Sequence, residues 1–70
     1  MPKLYSSRHI VSVLEKHGFI KVAQKGNHAK YRKSGNPALT AIVPANKKEI
    51  PFGTFRSIVR QARLKVTDFK

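Results

Sequence analysis

Apolar positions near the start of the chain fall at helical spacing. Ile10, Val13 and Leu14, followed by His17, recur at steps of three and four residues, and Gly18 then stands where a left-handed residue ends a helix. Ser6 and Ser7 are candidate N-caps, because a serine oxygen accepts from the free first-turn amides. The spacing predicts a helix from Ser7 to His17. Phe19 to Lys25 is rich in strand formers, and strand alternation puts Ile20 and Val22 on one side and Lys21, Ala23 and Lys25 on the other. Gly26-Asn27 is a turn pair. In the next run, His28 to Lys33, the residues His28, Lys30 and Arg32 alternate with Ala29 and Tyr31. Ser34-Gly35-Asn36-Pro37 predicts a second turn, and Leu39 to Val43 a third strand closed by Pro44. Ala45 to Phe52 reads as a polar loop. A last helix is expected from about Gly53-Thr54, with Thr54 as its cap. Phe55, Ile58, Val59 and Ala62 form its apolar stripe, and Arg56, Arg60 and Arg63 run along another face. The tail from Leu64 has Val66 and Phe69 but no clear period.

The element order predicts an α+β fold: a three-stranded antiparallel meander with two helices on one face, burying all the apolar stripes together. With 70 residues and no dividing linker, positions 1–70 read as one domain. A chain of this size lacks room for a deep pocket beside a cofactor site, so no cofactor is expected. There are no cysteines, which excludes disulfides and thiolate metal sites. Metal chemistry is not expected either, since Glu15, Glu49 and Asp68 are the only carboxylate side chains and lie far apart in sequence. No run is long and apolar enough for a membrane span, and Met1-Pro2-Lys3-Leu4-Tyr5 lacks the apolar stretch of a signal peptide. A cytoplasmic protein without membrane contact is the expectation.

Charge changes the picture most. Fifteen Lys and Arg against three acids give a formal net charge of +12. So one-sided a charge costs stability through self-repulsion, and binding a polyanion is the usual reason to carry it. The candidate chemistry lies in the same cluster. His28 follows the glycine turn and opens a strand, sharing a face with Lys30 and Arg32 and, across the hairpin, with Lys21 or Lys25. RNA cleavage needs a group that moves a proton and cations that hold the charge developing on phosphorus. Histidine suits the first task because its unperturbed pKa is about 6.5. An exposed strand histidine without a task would show the same spacing. His9, in a first turn, and His17, at a helix end, read as structural. Most of the aromatic residues fall in apolar stripes, and Tyr31 faces away from His28.

Several short motifs, taken together and in order, resemble the HicA family of mRNA-cutting toxins. His17-Gly18-Phe19 is followed by Gln24-Lys25-Gly26-Asn27-His28, then by Val43-Pro44 before a polar loop. Gly53-Thr54-Phe55-Arg56-Ser57-Ile58 then opens the last helix. The likeness runs through nearly the whole chain. It implies a fold similar to double-stranded-RNA-binding domains, helix–three-stranded antiparallel sheet–helix. It implies a metal-independent endoribonuclease that cleaves mRNA and blocks translation. His28 would be the catalytic residue, with Lys25, Gly26, Asn27, Lys30 and Arg32 on the substrate: Gly26 exposes the histidine, Asn27 orients it or the RNA, and the cations hold phosphates. The implied partner is an acidic antitoxin of the HicB type, the toxin being a monomer when free and part of a hetero-oligomer when neutralised. The chain departs from the family pattern at Asn27, where serine is usual, at Ala29, where a second histidine often follows, and at Ala45-Asn46, where many members carry another histidine. His28 is thus left to act alone or with lysine, arginine or water.

The competing reading is a non-catalytic RNA-binding module on the same fold. A cluster of lysines at the start of the last helix would favour it, and Gly53-Thr54-Phe55-Arg56 supplies none. A basic protein that only binds an acidic protein partner would need no histidine at the turn. If RNA is held mainly by charge, its affinity falls steeply with salt, with a log–log slope of about three to six. A titration that stays flat between low and physiological salt removes the polyanion reading.

Overall fold

The computed structural model describes residues 3–70, so Met1 and Pro2 of the stretch read for a leader lie outside the described residues. The elements follow in the order α1 (Ser7–Lys16), β1 (Ile20–Lys25), β2 (His28–Lys33), β3 (Leu39–Pro44) and α2 (Phe52–Ala62), then a 3-10 turn at Val66–Phe69. The strands form one antiparallel sheet in the order β1-β2-β3. This is the α+β arrangement of double-stranded-RNA-binding domains.

Each boundary has a local cause. Ser6 caps α1 by accepting from the His9 amide at 3.1 Å. At the other end, Gly18 takes φ +95°, its amide donates to Glu15 O and the Phe19 amide to Leu14 O. This paired closure needs a left-handed residue and places an apolar one next, and Phe19 is fully buried. Helix α2 begins differently from expectation. Its N-cap is Pro51, with no side-chain cap bond, and Thr54 lies inside the first turn. Pro51, at φ −54° and ψ 144°, turns the chain into the helix by its fixed geometry. The C-terminal closure of α2 repeats that of α1, with Arg63 in the left-handed position at φ 55° and the Leu64 amide on Val59 O. Arg63 therefore leaves the helical row of Arg56 and Arg60 that the spacing predicted.

The core lies between the helices and one face of the sheet. Ile10, Val13 and Leu14 of α1 and Phe55, Ile58, Val59 and Ala62 of α2 meet Ala29, Tyr31, Ala41 and Val43. Phe69 from the tail closes one end, in edge contact with Phe55 at 5.2 Å. The predicted burial of every apolar stripe fails at β1. All six of its residues are exposed, Ile20 at 64% and Val22 at 48%. Ile20 pairs with Arg32 on the outer face, the helices pack on β3 rather than on this edge strand, and a β-bulge lies between Lys21 and Ala23. The extra residue resets the alternation, so Lys21 pairs with Tyr31 on the core face while Ala23 and Lys25 pair with Lys30 and His28 on the other.

The loop after β3 is less polar in effect than its composition suggests. Ile50 is fully buried, and its amide donates to Tyr5 O at 2.8 Å. Ser7, the one buried polar residue among those described, ties the same loop to α1. Its hydroxyl donates to Pro44 O at 2.6 Å and accepts from the Lys47 amide at 3.0 Å, and its own amide donates to Lys47 O at 2.9 Å. Removing the hydroxyl leaves a carbonyl and an amide unpartnered beside the core. Ser7→Ala should therefore cost about 1–3 kcal/mol, while Ser12→Ala on the exposed side of α1 stays within about half a kcal/mol. Urea denaturation of both variants checks this, and equal midpoints would show that the latch contributes nothing.

Candidate functional site

The tight turn between β1 and β2 determines how the candidate residues are presented. Lys25 and His28 pair directly, leaving Gly26 and Asn27 as a two-residue connection. Gly26 takes φ +58° and Asn27 stays at negative φ, the pattern of a hairpin turn that wants glycine in its first central place. No heavy atom lies within 4 Å of where a Gly26 Cβ would sit, so backbone conformation, not crowding, calls for glycine there. The turn is held from the far side, since Asn27 O accepts from the Ala45 amide at 2.6 Å.

Strand β2 then alternates as its sequence predicts. Ala29 and Tyr31 are buried, and His28, Lys30 and Arg32 are exposed on the opposite face. Ladder partners complete that outer face: Lys25 flanks His28, whose β3 partner Pro44 is buried, Ala23 and Ile42 flank Lys30, and Ile20 and Thr40 flank Arg32. The structure thus brings together Lys25, His28, Lys30 and Arg32, with Gly26 and Asn27 at the adjoining turn. Of the two lysines expected across the hairpin, Lys25 joins this group, and Lys21 is turned to the other face by the bulge. The outer face carries no carboxylate among these residues, so its cations lack compensation within the sheet. A single histidine flanked by cations can exchange a proton beside an anion that those cations hold.

The other histidines have structural partners. The His9 ring donates through Nε2 to the Phe69 carbonyl and stacks on Tyr5 with centroids 4.6 Å apart. His17 Nδ1 donates to Val13 O at 2.9 Å, closing the end of α1.

A second polar region was not visible in the sequence. A cavity of about 310 Å³ opens on the helix side of the sheet, between α1, the β1–β2 hairpin and the segment after β3. Arg8, Lys21 and Lys47 line it, over a floor that includes Ala29, Tyr31 and Val43. These residues come from four separate segments. Only the bulge turns Lys21 toward them, and nothing in a single strand's pattern announces it. His28 lies outside the cavity, but both its chain neighbour Ala29 and its ladder partner Pro44 line it.

Fold and site define a small α–β–β–β–α protein with a cationic outer sheet face that presents one histidine at a tight turn. The family model described as HicA toxin of bacterial toxin-antitoxin matches residues 7–64, more than half of the chain, and the chain belongs to that family. It is thus a toxin of the toxin–antitoxin kind, whose partner is an antitoxin. No curated protein matches the sequence significantly. No helix among the described residues is long and apolar enough to cross a membrane.

Burial raises the Tyr31 phenol above its ordinary value, and the Glu15 carboxylate adds to the shift in the same direction. The fold therefore favours the neutral phenol. The unfolded chain loses that proton first, so this group's contribution to stability is full below about pH 10 and is lost as pH rises through the folded value. Thermal melts between pH 9 and 11 should show the wild type losing more stability than Tyr31→Phe over that span. Parallel losses in the two proteins would contradict the assignment.

Proposed function

We propose that this toxin is a metal-independent endoribonuclease that cleaves mRNA and so blocks translation, with His28 as its catalytic residue. The observation that carries the reading is the outer face itself, where one histidine and three cations share a surface without an acid among them. In the proposed step, the 2′-hydroxyl of the nucleotide before the scissile bond gives its proton to a base, and its oxygen attacks phosphorus. The new bond is 2′-O–P, and the bond that breaks is P–O5′. The leaving 5′-oxygen takes up a proton, so the products are a cyclic 2′,3′-phosphate and a 5′-hydroxyl. The nucleophile belongs to the substrate, so the step asks the protein only for proton transfer and charge stabilisation.

His28 carries the one imidazole on this face and is proposed for the proton step. Lys25, Lys30 and Arg32 hold the phosphate and offset the charge that develops on its oxygens, arginine with two parallel donors. Gly26 keeps the turn tight enough to leave His28 at the surface, and Asn27 orients the histidine or the RNA. Neither Ala29 nor Asn46 offers a second imidazole, so the return of the proton falls to His28 itself, to a lysine or to water. The antitoxin is proposed to be an acidic protein of the HicB type that covers this face, with charge-assisted hydrogen bonds to Lys30 and Arg32. A binding module without catalysis remains the second reading, since exposed lysines and arginines serve both.

His28→Ala separates the two. The side chain is exposed, so its loss should cost under about half a kcal/mol of stability. RNA affinity should persist, because many cations share it. Cleavage should fall about a hundredfold or more, since no other imidazole stands on this face. The comparison needs purified wild type and variant, a labelled mRNA, and circular dichroism to verify folding. A folded variant that cuts at the wild-type rate sinks the single-histidine mechanism, and a wild type that binds RNA but never cuts it favours the module.

A further inference from the structure

We propose that the groove behind the sheet seats one nucleotide of the RNA strand, its phosphate held by Arg8, Lys21 and Lys47 and its base against Ala29, Tyr31 and Val43. The inference rests on the reading of RNA as substrate, and adds to it a second site on the opposite side of the sheet from His28.

Size comes first. The cavity, about 310 Å³, lies at the low end of the range in which small ligands are held, about 300–1,000 Å³. That admits one nucleotide. The charges come next. Arg8 projects from α1, Lys21 from β1 and Lys47 from the segment after β3, so three independent elements supply one cation each. No carboxylate lines the groove. Glu15, on the Arg8 and Val11 face of α1, acts on Tyr31 from further along that helix. Lys21 is hydrogen-bonded to Gln24, a neutral partner that orients the ammonium without cancelling its charge. Three unneutralised cations over a partly apolar floor match a group with an anionic end and a flat, weakly polar body. Carboxylates alone would use the cations and leave the floor uncovered.

The groove is also built to keep its shape. The three hydrogen bonds of Ser7 fix Pro44 and Lys47 against α1, and the Ala45–Asn27 bond fixes the hairpin turn to the same segment. The same bonds bring the groove to the end of the sheet where His28 stands. A strand with one nucleotide seated behind the sheet passes the Asn27–Ala45 edge and reaches the outer face beside His28. The groove would therefore position the scissile bond by anchoring a neighbouring nucleotide, which makes Arg8, Lys21 and Lys47 positioning residues.

The test uses the full chain carrying His28→Ala, which keeps the RNA whole during measurement. Isotope-labelled protein is titrated with uridine 5′-monophosphate, with ribose 5-phosphate and with a single-stranded RNA hexanucleotide, reading backbone amide shifts. The expected result is saturable movement at Arg8, Ala29, Val43 and Ala45, tighter for the nucleotide than for ribose 5-phosphate. The double variant Arg8→Gln/Lys47→Gln should bind the hexanucleotide at least about tenfold more weakly, with a salt slope lower by about two. Lys70→Ala, a charge loss on the exposed C-terminal residue, should change affinity less than about twofold.

Shifts confined to Lys25, Lys30 and Arg32 would overturn the proposal. So would a double variant no weaker than Lys70→Ala, or groove amides that respond to neither the nucleotide nor the hexanucleotide. Cleavage by protein with His28 intact keeps the two claims apart. RNA that fills the groove and stays uncut supports the groove and counts against the ribonuclease reading. Cutting by the double variant with an unchanged KM counts against the groove alone.

Discussion

The alternation along β2 is the constraint on which the rest of the molecule depends. Ala29 and Tyr31 of the central strand enter the core beside Ala41 and Val43 of β3, under α1 and α2. With a period of two, His28, Lys30 and Arg32 must then face outward. A slip of one residue would carry two cations and a histidine under the helices. The effective cost of burying an unpaired charge is several kcal/mol per ion, more than a fold of this size can absorb. Core and cationic face are thus two consequences of one register, so the apolar side fixes the geometry of the charged one.

Much of this was legible in the sequence, because local rules and burial agree there. The limits of α1, the hairpin turn, β2 and the apolar stripe of α2 follow from periodicity and from Gly18 and Gly26. The misreadings share a cause, which is that tertiary contacts override a local pattern. The bulge in β1 reverses the side taken by Lys21 relative to Lys25, and one extra residue leaves no mark on composition. Pro51 starts α2 by its fixed backbone geometry where a hydroxyl cap at Thr54 was expected. Arg63 occupies a left-handed position that usually favours glycine, and so breaks the apparent arginine row. Ile50 is a lone apolar residue in a polar loop, and burial there could not be read from spacing. Of the two charged sites, the outer face was legible because one strand and one turn carry it. The groove was not, because Arg8, Lys21 and Lys47 are brought together only by the packing of α1 on the sheet.

The same packing links stability to function. Ser7 is buried in α1, but its hydroxyl organises the segment from Pro44 to Lys47, which adjoins both the His28 end of the sheet and the groove. The family gives this toxin, with its net charge of +12, an antitoxin partner, and the two anionic partners proposed for it are RNA and an acidic surface of that antitoxin. Cationic surface on both sides of the sheet suits a strand that wraps around the sheet end, whereas a protein partner that covers the outer face alone would suffice to block the histidine. Neutralisation then does not require filling the groove.

The central claim is that the nucleophile comes from the RNA and that His28 moves its proton. Mass spectrometry of the fragments cut from a defined RNA tests this most directly. The account predicts upstream fragments ending in a cyclic 2′,3′-phosphate and downstream fragments beginning with a 5′-hydroxyl, with no cut where the preceding nucleotide lacks its 2′-hydroxyl. Fragments that begin with a 5′-phosphate and end in a 3′-hydroxyl, or efficient cutting at a 2′-deoxy position, would show that water attacks the phosphorus and would contradict it.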